Sequence, residues 1–382
     1  MKTRTKKEIA VLLSNCMRKL RIITGIPIMI LIGVMLSGCT KNDVATSPSE
    51  DQSFIDLKIA NTNDFTVVNL VSDVEEYDPI FIDPNLVNAW GLAFSDEGEV
   101  WVSSTEKGLA TIYDGNGIQL AQPVNIPFNG DPTGGEPTGA AYNETNTFFI
   151  PQANKKSEFM YVTENGTLLL AASGTAYTVA DQSASGTVYK GMAIASEGGE
   201  EYIYATDFHN AKIDVYNDSY TLETDYPFID PDMSSGYAPF NIHLINGQLY
   251  VTYAKQLGPD NEDDEAGPGN GFVDIFNTDG SFVKRFASHG NLNSPWGIEE
   301  ITGSKPAILI GNFGDGKINV YDMEGNFLKH LKSGSDPIVV EGLWSIAFPR
   351  TNLPPNERRR LYFTAGPDEE THGVFGYLKP AM

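Results

Sequence analysis

Two histidines and one aspartate in turn-rich segments form one candidate site for metal chemistry. Asp207 and His209 stand two residues apart, and His372 occupies a comparable segment near the C-terminus. Imidazole and carboxylate groups bind Zn²⁺ or Mn²⁺, and a metal-bound water can act as a nucleophile. The sequence therefore leaves two alternatives open. One is a Zn or Mn site at these three residues, and the other, which is the commoner case, is a set of solvated loop side chains.

A second candidate metal site is an acidic segment with five carboxylates in six residues, followed by a Gly-rich turn. The five are Asp260, Glu262, Asp263, Asp264 and Glu265. Ca²⁺ takes about six to eight oxygen ligands, and adjacent carboxylates can supply them. The spacing lacks the glycine and the terminal glutamate of an EF-hand loop, so a solvated acidic loop is the favoured alternative. If the protein has a divalent metal cofactor, we expect Ca²⁺ here rather than Zn²⁺.

Motifs for covalent catalysis are missing from the sequence. It contains no Gly-x-Ser-x-Gly elbow and no His-Glu-x-x-His segment, and Gly311–Gly316 lacks the Lys-Ser/Thr of a phosphate loop. The 382 residues include 26 Lys or Arg and 50 Asp or Glu, which gives a formal net charge of −24. Binding nucleic acid requires clustered basic residues, so nucleic acid is excluded as a partner. Whether the chain is an enzyme stays open.

The N-terminal segment has the pattern of a targeting signal. Basic residues precede an apolar run over Ile22–Leu36, which is short for a membrane span and typical of a signal peptide. The run ends in Leu-Ser-Gly-Cys39, which resembles the lipobox of bacterial lipoproteins. We therefore predict a signal peptide over residues 1–39 with Cys39 lipidated, a flexible tether over 40–62, and a folded body over 63–382. Thr40 in place of Asp favours the outer membrane as the destination if the host is Gram-negative.

The body repeats about every 50 residues. Segments 104–114, 207–217 and 312–322 align without gaps, and an apolar strand opening precedes each one. Three looser units complete the series, and the six openings lie at Trp90, Thr138, Lys190, Phe240, Trp296 and Trp344. Each unit contains four stretches of β-branched and aromatic residues between Gly, Asn and Asp turns, without helical periodicity. This pattern predicts an all-β, six-bladed propeller of four-stranded blades. The tryptophans at equivalent openings are predicted to be core rather than sugar-stacking residues.

The sixth unit has only three strand-like segments before the chain ends. One further segment, Phe65–Val71, precedes the first unit and belongs to no other blade. We predict that it supplies the outer strand of the sixth blade, which closes the ring and covers an exposed sheet edge.

Several motifs resemble a family of secreted bacterial proteins known only as conserved hypothetical proteins. They are Asp83–Phe94, Gly236–Ile242, Tyr250–Gln256 and Gly311–Gly316, and the resemblance covers about Asn69–Leu378. The family is expected to form six-bladed propellers related to the NHL-repeat class. The resemblance implies this fold and no activity, because the wider class includes metal-dependent lyases and lactonases as well as interaction domains.

Propellers usually bind ligands on the face where the loops between second and third strands meet the blade connections. The residues expected on this channel face are Asn88, Glu136, Asn154, Lys190, Asp207, His209, Asn241, Lys255, Asn312, Asp315 and His372. The leading hypothesis is a lipid-anchored extracytoplasmic propeller that binds an unidentified small molecule or protein on this face, without chemistry. The alternative is a divalent-metal-dependent hydrolase, lactonase or lyase acting at the channel mouth.

Overall fold

Six sheets, each built on four antiparallel strands, form the computed structural model, which describes residues 64–349, 353–354 and 357–381. The predicted signal peptide with Cys39 and the predicted tether lie outside the described residues. The six sheets are the blades of a propeller, and the predicted all-β architecture is confirmed. Each blade is an antiparallel meander, with longer connections between the first two strands of blades 2 and 6 and between the second and third strands of blade 4.

The strands of each blade are given from the channel outwards. Blade 1 contains Ala89–Phe94, Val100–Ser104, Leu109–Tyr113 and Val124–Asn125; blade 2 contains Pro137–Tyr142, Phe159–Thr163, Thr167–Ala172 and Thr175–Asp181; blade 3 contains Tyr189–Glu197, Glu200–Asp207, Lys212–Tyr216 and Leu222–Glu223; blade 4 contains Tyr237–Ile245, Gln248–Lys255, Gly271–Asn277 and Phe282–Ser288; blade 5 contains Pro295–Ile301, Ala307–Asn312, Ile318–Tyr321 and Phe327–His330; blade 6 contains Leu343–Ala347, Leu361–Ala365, Val374–Pro380 and Phe65–Ser72.

Several short elements lie outside the four strands of the blades. Phe81–Ile82 pairs in parallel with the outer strand of blade 6. Two hairpins are formed by Phe149–Ile150 with Lys155–Lys156 and by Lys332–Ser333 with Asp336–Pro337. Three single-turn 3₁₀ helices span Glu75–Tyr77, Thr105–Lys107 and Ser183–Ser185.

The ring is closed by the N-terminal strand, as the sequence predicts. Phe65–Ser72 pairs antiparallel with Val374–Pro380, from Phe65 opposite Pro380 to Ser72 opposite Val374. Blade 6 is therefore assembled from both ends of the described chain. The pairing covers the edge of Val374–Pro380, which would otherwise expose its backbone donors and acceptors.

The hydrophobic core consists of one cluster for each junction between neighbouring blades and one further cluster on the axis. Each junction cluster contains side chains from the two blades that it joins. The cluster between blades 5 and 6, for example, includes Leu309, Leu343 and Phe363. The axial cluster brings together aromatic rings from the inner strands of blades 1, 4, 5 and 6. Burial of apolar side chains between the blades therefore stabilises the ring, and the aromatic side chains on the axis fill its centre.

The strand pairing of every inner strand shifts near the repeat opening, and such shifts mark β-bulges. Neighbouring inner strands approach closely just after this position. A Cβ on Gly91 would collide with the carbonyl oxygen of Thr138, and a Cβ on Gly191 would collide with the side chain of Asn241. The opening residues form one buried layer across the channel.

Candidate functional site

A concave opening into the molecule lies on the propeller axis. It is a cavity of about 450 Å³, and all six inner strands contribute lining residues near their C-terminal ends. These include Leu92–Phe94 of blade 1, Ala140–Tyr142 of blade 2, Met192–Ser196 of blade 3, His243 and Leu244 of blade 4, Glu299 of blade 5, and Ala347 and Phe348 of blade 6. Because the walls are strands held by their sheets, the cavity is pre-formed.

A second cavity of about 80 Å³ continues towards the centre of the channel. It shares Leu92, Ala140 and Met192 with the larger cavity and extends to Trp296. We call the two cavities together the axial well.

The axial well is closed at its inner end by aromatic side chains. Trp90 and Trp344 stack with ring centroids 3.6 Å apart, and Phe313 stacks on Trp344 at 3.9 Å. Trp296 meets both tryptophans edge-on. All six opening residues, Trp90, Thr138, Lys190, Phe240, Trp296 and Trp344, are buried. The predicted core role of the tryptophans is therefore confirmed, and the channel is a blind well rather than a pore.

The acidic and basic side chains that line the axial well are three glutamates and one histidine: Glu144, Glu201, Glu299 and His243. The Glu299 carboxylate is 4% exposed and accepts hydrogen bonds from the backbone N–H groups of Glu300 and Phe348, both at 2.8 Å. The Glu201 carboxylate accepts a hydrogen bond of 2.7 Å from Ser196 Oγ. Aliphatic side chains form the floor, and Phe94, Tyr142 and Phe348 stand half-buried along the wall.

The opposite mouth of the channel is the face that the sequence favours for binding, and there Lys190 occupies the centre. The side chain is 3% exposed, and its ammonium group pairs with Glu164 and lies 3.8 Å from Asp263. It also lies 5.1 Å from the ring centroid of Trp90. Opposite charges together with an aromatic face compensate for removing the ammonium group from water, and Glu164 holds the pKa of Lys190 above its usual value despite burial.

Several carboxylates surround Lys190. The pKa of Glu370 is raised to about 7, mainly by burial and also by the nearby carboxylate of Glu164, while Lys190 opposes the shift. Asn88 donates a hydrogen bond of 2.6 Å to Glu370 and accepts one of 2.9 Å from Trp344 Nε1. Burial and the neighbouring carboxylate Glu164 also raise the pKa values of Glu106 and Glu136. This mouth is therefore a polar cluster built around one cation.

The predicted calcium loop lies over this mouth, and its side chains diverge. Asp263 faces Lys190, whereas Glu265 pairs with Lys255 at 2.7 Å. Burial raises the pKa of Asp264, and the carbonyl oxygen of Asp260 accepts a hydrogen bond from His209. Glu262 is exposed. The five residues are thus spread over several partners instead of converging on one point.

The predicted Zn or Mn residues are also engaged separately. Asp207 is fully buried and accepts hydrogen bonds from Thr187 Oγ1 and from the side chain of Asn210. His209 is half-buried, and its Nδ1 donates to the carbonyl oxygen of Asp260 at 2.9 Å. His372 donates to Asp73 at 2.8 Å, and this hydrogen bond raises the pKa of His372. Among residues 64–349, 353–354 and 357–381, no three His, Cys, Asp or Glu side chains are grouped so that they could hold a metal ion.

The remaining channel-face candidates have structural partners. Asn241 donates to the carbonyl oxygen of Trp296 at 2.8 Å and lines the axial well. Asn312 donates to Asp315 at 2.9 Å, and Asp315 pairs with Lys317. The side chains of Glu136 and Asn165 bond each other at 2.8 Å across neighbouring turns.

The predicted position of Asn154 is wrong. Asn154 lies in the hairpin between the inner and second strands of blade 2, at the opposite end of the blade from the expected loop. The turn that joins the second and third strands contains Glu164 instead. A stretch Glu-Asn-Gly between two apolar runs marks this turn in the sequence, and this signal would have identified Glu164. The lining of the axial well carries no such signal, because aliphatic residues in strands are typical of any core.

The comparisons with other proteins place the chain among relatives of similar length. It is 32% identical over 313 residues to the uncharacterized protein R648 of Acanthamoeba polyphaga mimivirus, covering 78% of this chain and 76% of that protein. It is also 32% identical to the uncharacterized protein L690 of the same virus, covering 78% and 81%. No protein-family model matches the sequence. These relatives are viral, so the secreted bacterial character suggested by the motifs stays a prediction.

Solved structures with similar folds are propellers of low sequence identity. A streptogramin B lyase is 12% identical, with a TM-score of 0.50 over 83% of this chain and 97% of the other. The GH93 α-L-arabinofuranosidase of Fusarium graminearum, in complex with arabinobiose, is 11% identical, with a TM-score of 0.51 over 82% and 97%. Within the described part of the chain, no helix is long and apolar enough to cross a membrane. The fold is a six-bladed β-propeller, and by sequence the chain belongs to the same protein family as R648 and L690 of Acanthamoeba polyphaga mimivirus.

Proposed function

We propose that this protein binds a small ligand with a largely apolar body in the axial well, without chemistry. The observation that carries the proposal is the well itself, a cavity of about 450 Å³ to which all six inner strands contribute. Small-molecule sites typically have volumes of about 300–1,000 Å³, mostly apolar walls and a few polar groups that orient the ligand. The axial well has each of these properties.

The position of the polar groups supports binding rather than catalysis. In the described lining, the floor is made of side chains such as Leu92, Met192 and Ile298, and the interior amide of Asn241 is already bonded to the backbone. Catalysis requires polar groups directed at the reacting atoms inside the site. A ligand held in this well would lie mainly against hydrocarbon, with polar contacts to the three glutamates and to His243, which lines both cavities.

The setting of this binding is the second part of the proposal. The lipobox motif at Cys39 supports attachment to the outer membrane through a lipid, with the propeller held outside the cytoplasm. In this setting the protein would capture a small molecule next to a membrane surface.

A hydrolase, lactonase or lyase acting at the opposite mouth is the second candidate. The observation that favours it is the carboxylate Glu370, whose pKa of about 7 suits a general acid or base and which lies near Glu164 and Lys190. Hydrolysis of a simple lactone such as dihydrocoumarin would support this candidate if Glu370→Gln removed the activity. Equal rates of lactone hydrolysis by the wild type and by Glu370→Gln would contradict this candidate.

Binding in the axial well is tested with a neutral fluorescent probe, 2-(1-naphthyl)ethanol. We expect saturable binding to the wild type and at least about tenfold weaker binding to Ala347→Phe, because the larger ring fills the space shared by both cavities. The matched control is Ala121→Phe, at an exposed position outside the well. Thermal unfolding of all three proteins verifies that they are folded. Binding that Ala347→Phe leaves unchanged, or no saturable binding to the wild type, would contradict the proposal.

A further inference from the structure

The carboxylates that line the axial well outnumber its one basic side chain, His243, by three to one. Glu144, Glu201 and Glu299 line it, and its described lining includes no lysine or arginine. Glu144 is exposed, Glu201 is half-buried and Glu299 is buried, so acidic groups occur at several depths. Carboxylates around a concave, low-dielectric wall focus a negative potential into the cavity. An anionic group entering the well would therefore be repelled, and a cationic group would be attracted.

Aromatic side chains share the wall with these carboxylates. Phe94, Tyr142 and Phe348 line the cavity and are half-buried, so each keeps part of its surface accessible. The faces of such rings attract ammonium groups within about 6 Å of the ring centroid. Acidic groups and aromatic faces around one apolar cavity are the combination that recognises organic cations. The molecule already shows this chemistry at Lys190, whose ammonium group lies 5.1 Å from the ring centroid of Trp90 and pairs with Glu164.

The net charge of the whole chain acts in the same direction. With 50 acidic and 26 basic residues, the protein attracts cations and repels anions over distances of about one Debye length, roughly 8–10 Å at physiological salt. The apolar floor at Leu92, Met192 and Ile298 excludes a small hydrated ion as the occupant, because such a floor offers it no ligands. The occupant must therefore combine a hydrocarbon body with a positive group.

We propose that the ligand of the axial well is an organic cation, an amine or quaternary ammonium compound with an apolar body. The body lies against the aliphatic floor, and the positive group remains among the carboxylates and aromatic rings near the rim. This inference rests on the proposed binding function and adds the charge class of the ligand to it.

The test compares three probes that share one naphthyl body: 2-(1-naphthyl)ethylamine, 2-(1-naphthyl)ethanol and 1-naphthylacetate. At low salt we expect the amine to bind about fivefold more tightly than the alcohol, since two partly exposed charge pairs contribute a factor of this size. The carboxylate should bind more weakly than the alcohol. The preference for the amine should fall as ionic strength rises.

The variant Glu144→Gln/Glu201→Gln removes two charges and keeps the size of both side chains. We expect its affinities for the amine and the alcohol to agree within about twofold. The control Glu75→Gln/Glu324→Gln removes two exposed charges outside the well and should keep the preference for the amine.

The outcomes separate the two proposals. If the alcohol binds, Ala347→Phe weakens its binding, and the amine has no advantage, the cation inference fails while the proposed function stands. If none of the three probes binds the wild type, the proposed function fails as well. A preference for the amine that persists in the Glu144→Gln/Glu201→Gln variant also overturns the inference, because groups other than these two carboxylates would then recognise the positive charge.

Discussion

Glu370 shows how the channel mouth changes the chemistry of one side chain. Its carboxyl group is half-buried beside Asn88 and near Glu164, Asp263 and Lys190. Burial and the two neighbouring carboxylates favour the neutral form, and the ammonium group of Lys190 and the hydrogen bond from Asn88 favour the charged form. The balance raises the pKa of Glu370 from 4.5 to about 7.

This shift predicts a pH dependence of stability. Between about pH 4.5 and 7, folded Glu370 keeps a proton that the unfolded chain has released, so its contribution is fully present below pH 4.5 and is lost as the pH rises through 7. Glu370→Gln removes this dependence and keeps an acceptor for Asn88. We expect the free energy of unfolding of the variant, relative to wild type, to rise by about 2 kcal/mol from pH 4.5 to pH 7.5.

Urea denaturation at several pH values measures this difference. The control is Glu369→Gln, an exposed neighbour, for which the difference from wild type should stay constant. A constant difference for Glu370→Gln as well would mean that Glu370 ionises like a surface carboxylate.

At the scale of one element, the outer strand of blade 6 joins the two ends of the described chain. Phe65 is 1% exposed and packs in the core cluster between blades 5 and 6, whereas Val67 on the same strand is 36% exposed. Phe65→Ala should lower the free energy of unfolding by about 3 kcal/mol, because a large cavity would open in that core. Val67→Ala should change it by less than about 0.5 kcal/mol.

The comparison of Phe65→Ala with Val67→Ala by urea denaturation tests whether this strand contributes to the fold. Both changes shorten a side chain on the same strand, so a propensity effect would appear in both variants. Equal, small losses would show that blade 6 does not depend on its N-terminal strand.

The strand pattern of the blades was largely predictable, and blade 2 shows the limit. The apolar run Phe148–Ile150 resembles a second strand, but it forms a short hairpin with Lys155–Lys156, and Phe148 and Ile150 are buried against blade 3. A local pattern of β-formers cannot distinguish a blade strand from an insertion that packs on a neighbouring blade. For this reason the predicted position of Asn154 was at the wrong end of blade 2, and Glu164 was not predicted as a site residue.

At the scale of the whole molecule, the axial well was not predictable from the sequence. Leu92, Ala140 and Met192 have the residue types of ordinary core positions, and each belongs to a different blade. They come together only because six repeats close into a ring, so their common role depends on tertiary geometry. The opening positions such as Trp90 and Trp344 were predictable as core, because they recur at equivalent places in the repeat.

The net charge of the whole chain bears on how it could be held at a membrane. A protein with a formal charge of −24 is repelled by anionic lipid headgroups, so electrostatic attraction offers no route to the surface. Attachment would then depend on the acyl chains expected at Cys39, each buried CH₂ of which contributes about 0.8 kcal/mol. In a Gram-negative host that expresses the full chain, we expect the wild type to incorporate an alkynyl fatty acid and to enter the detergent phase of Triton X-114. Cys39→Ala should lose both properties.

The second cysteine provides the matched control for this experiment. Cys16 precedes the apolar run of the predicted signal peptide, so Cys16→Ala should leave labelling and partitioning unchanged. Because the propeller contains its own closed ring of blades, Cys39→Ala should keep the melting temperature of the folded body while it releases the protein from the membrane. A Cys39→Ala variant that stays in the membrane fraction and remains labelled would show that the lipobox motif is not used. The axial well would then not be held next to a lipid surface through Cys39. Its affinity for a neutral or cationic probe would be unchanged.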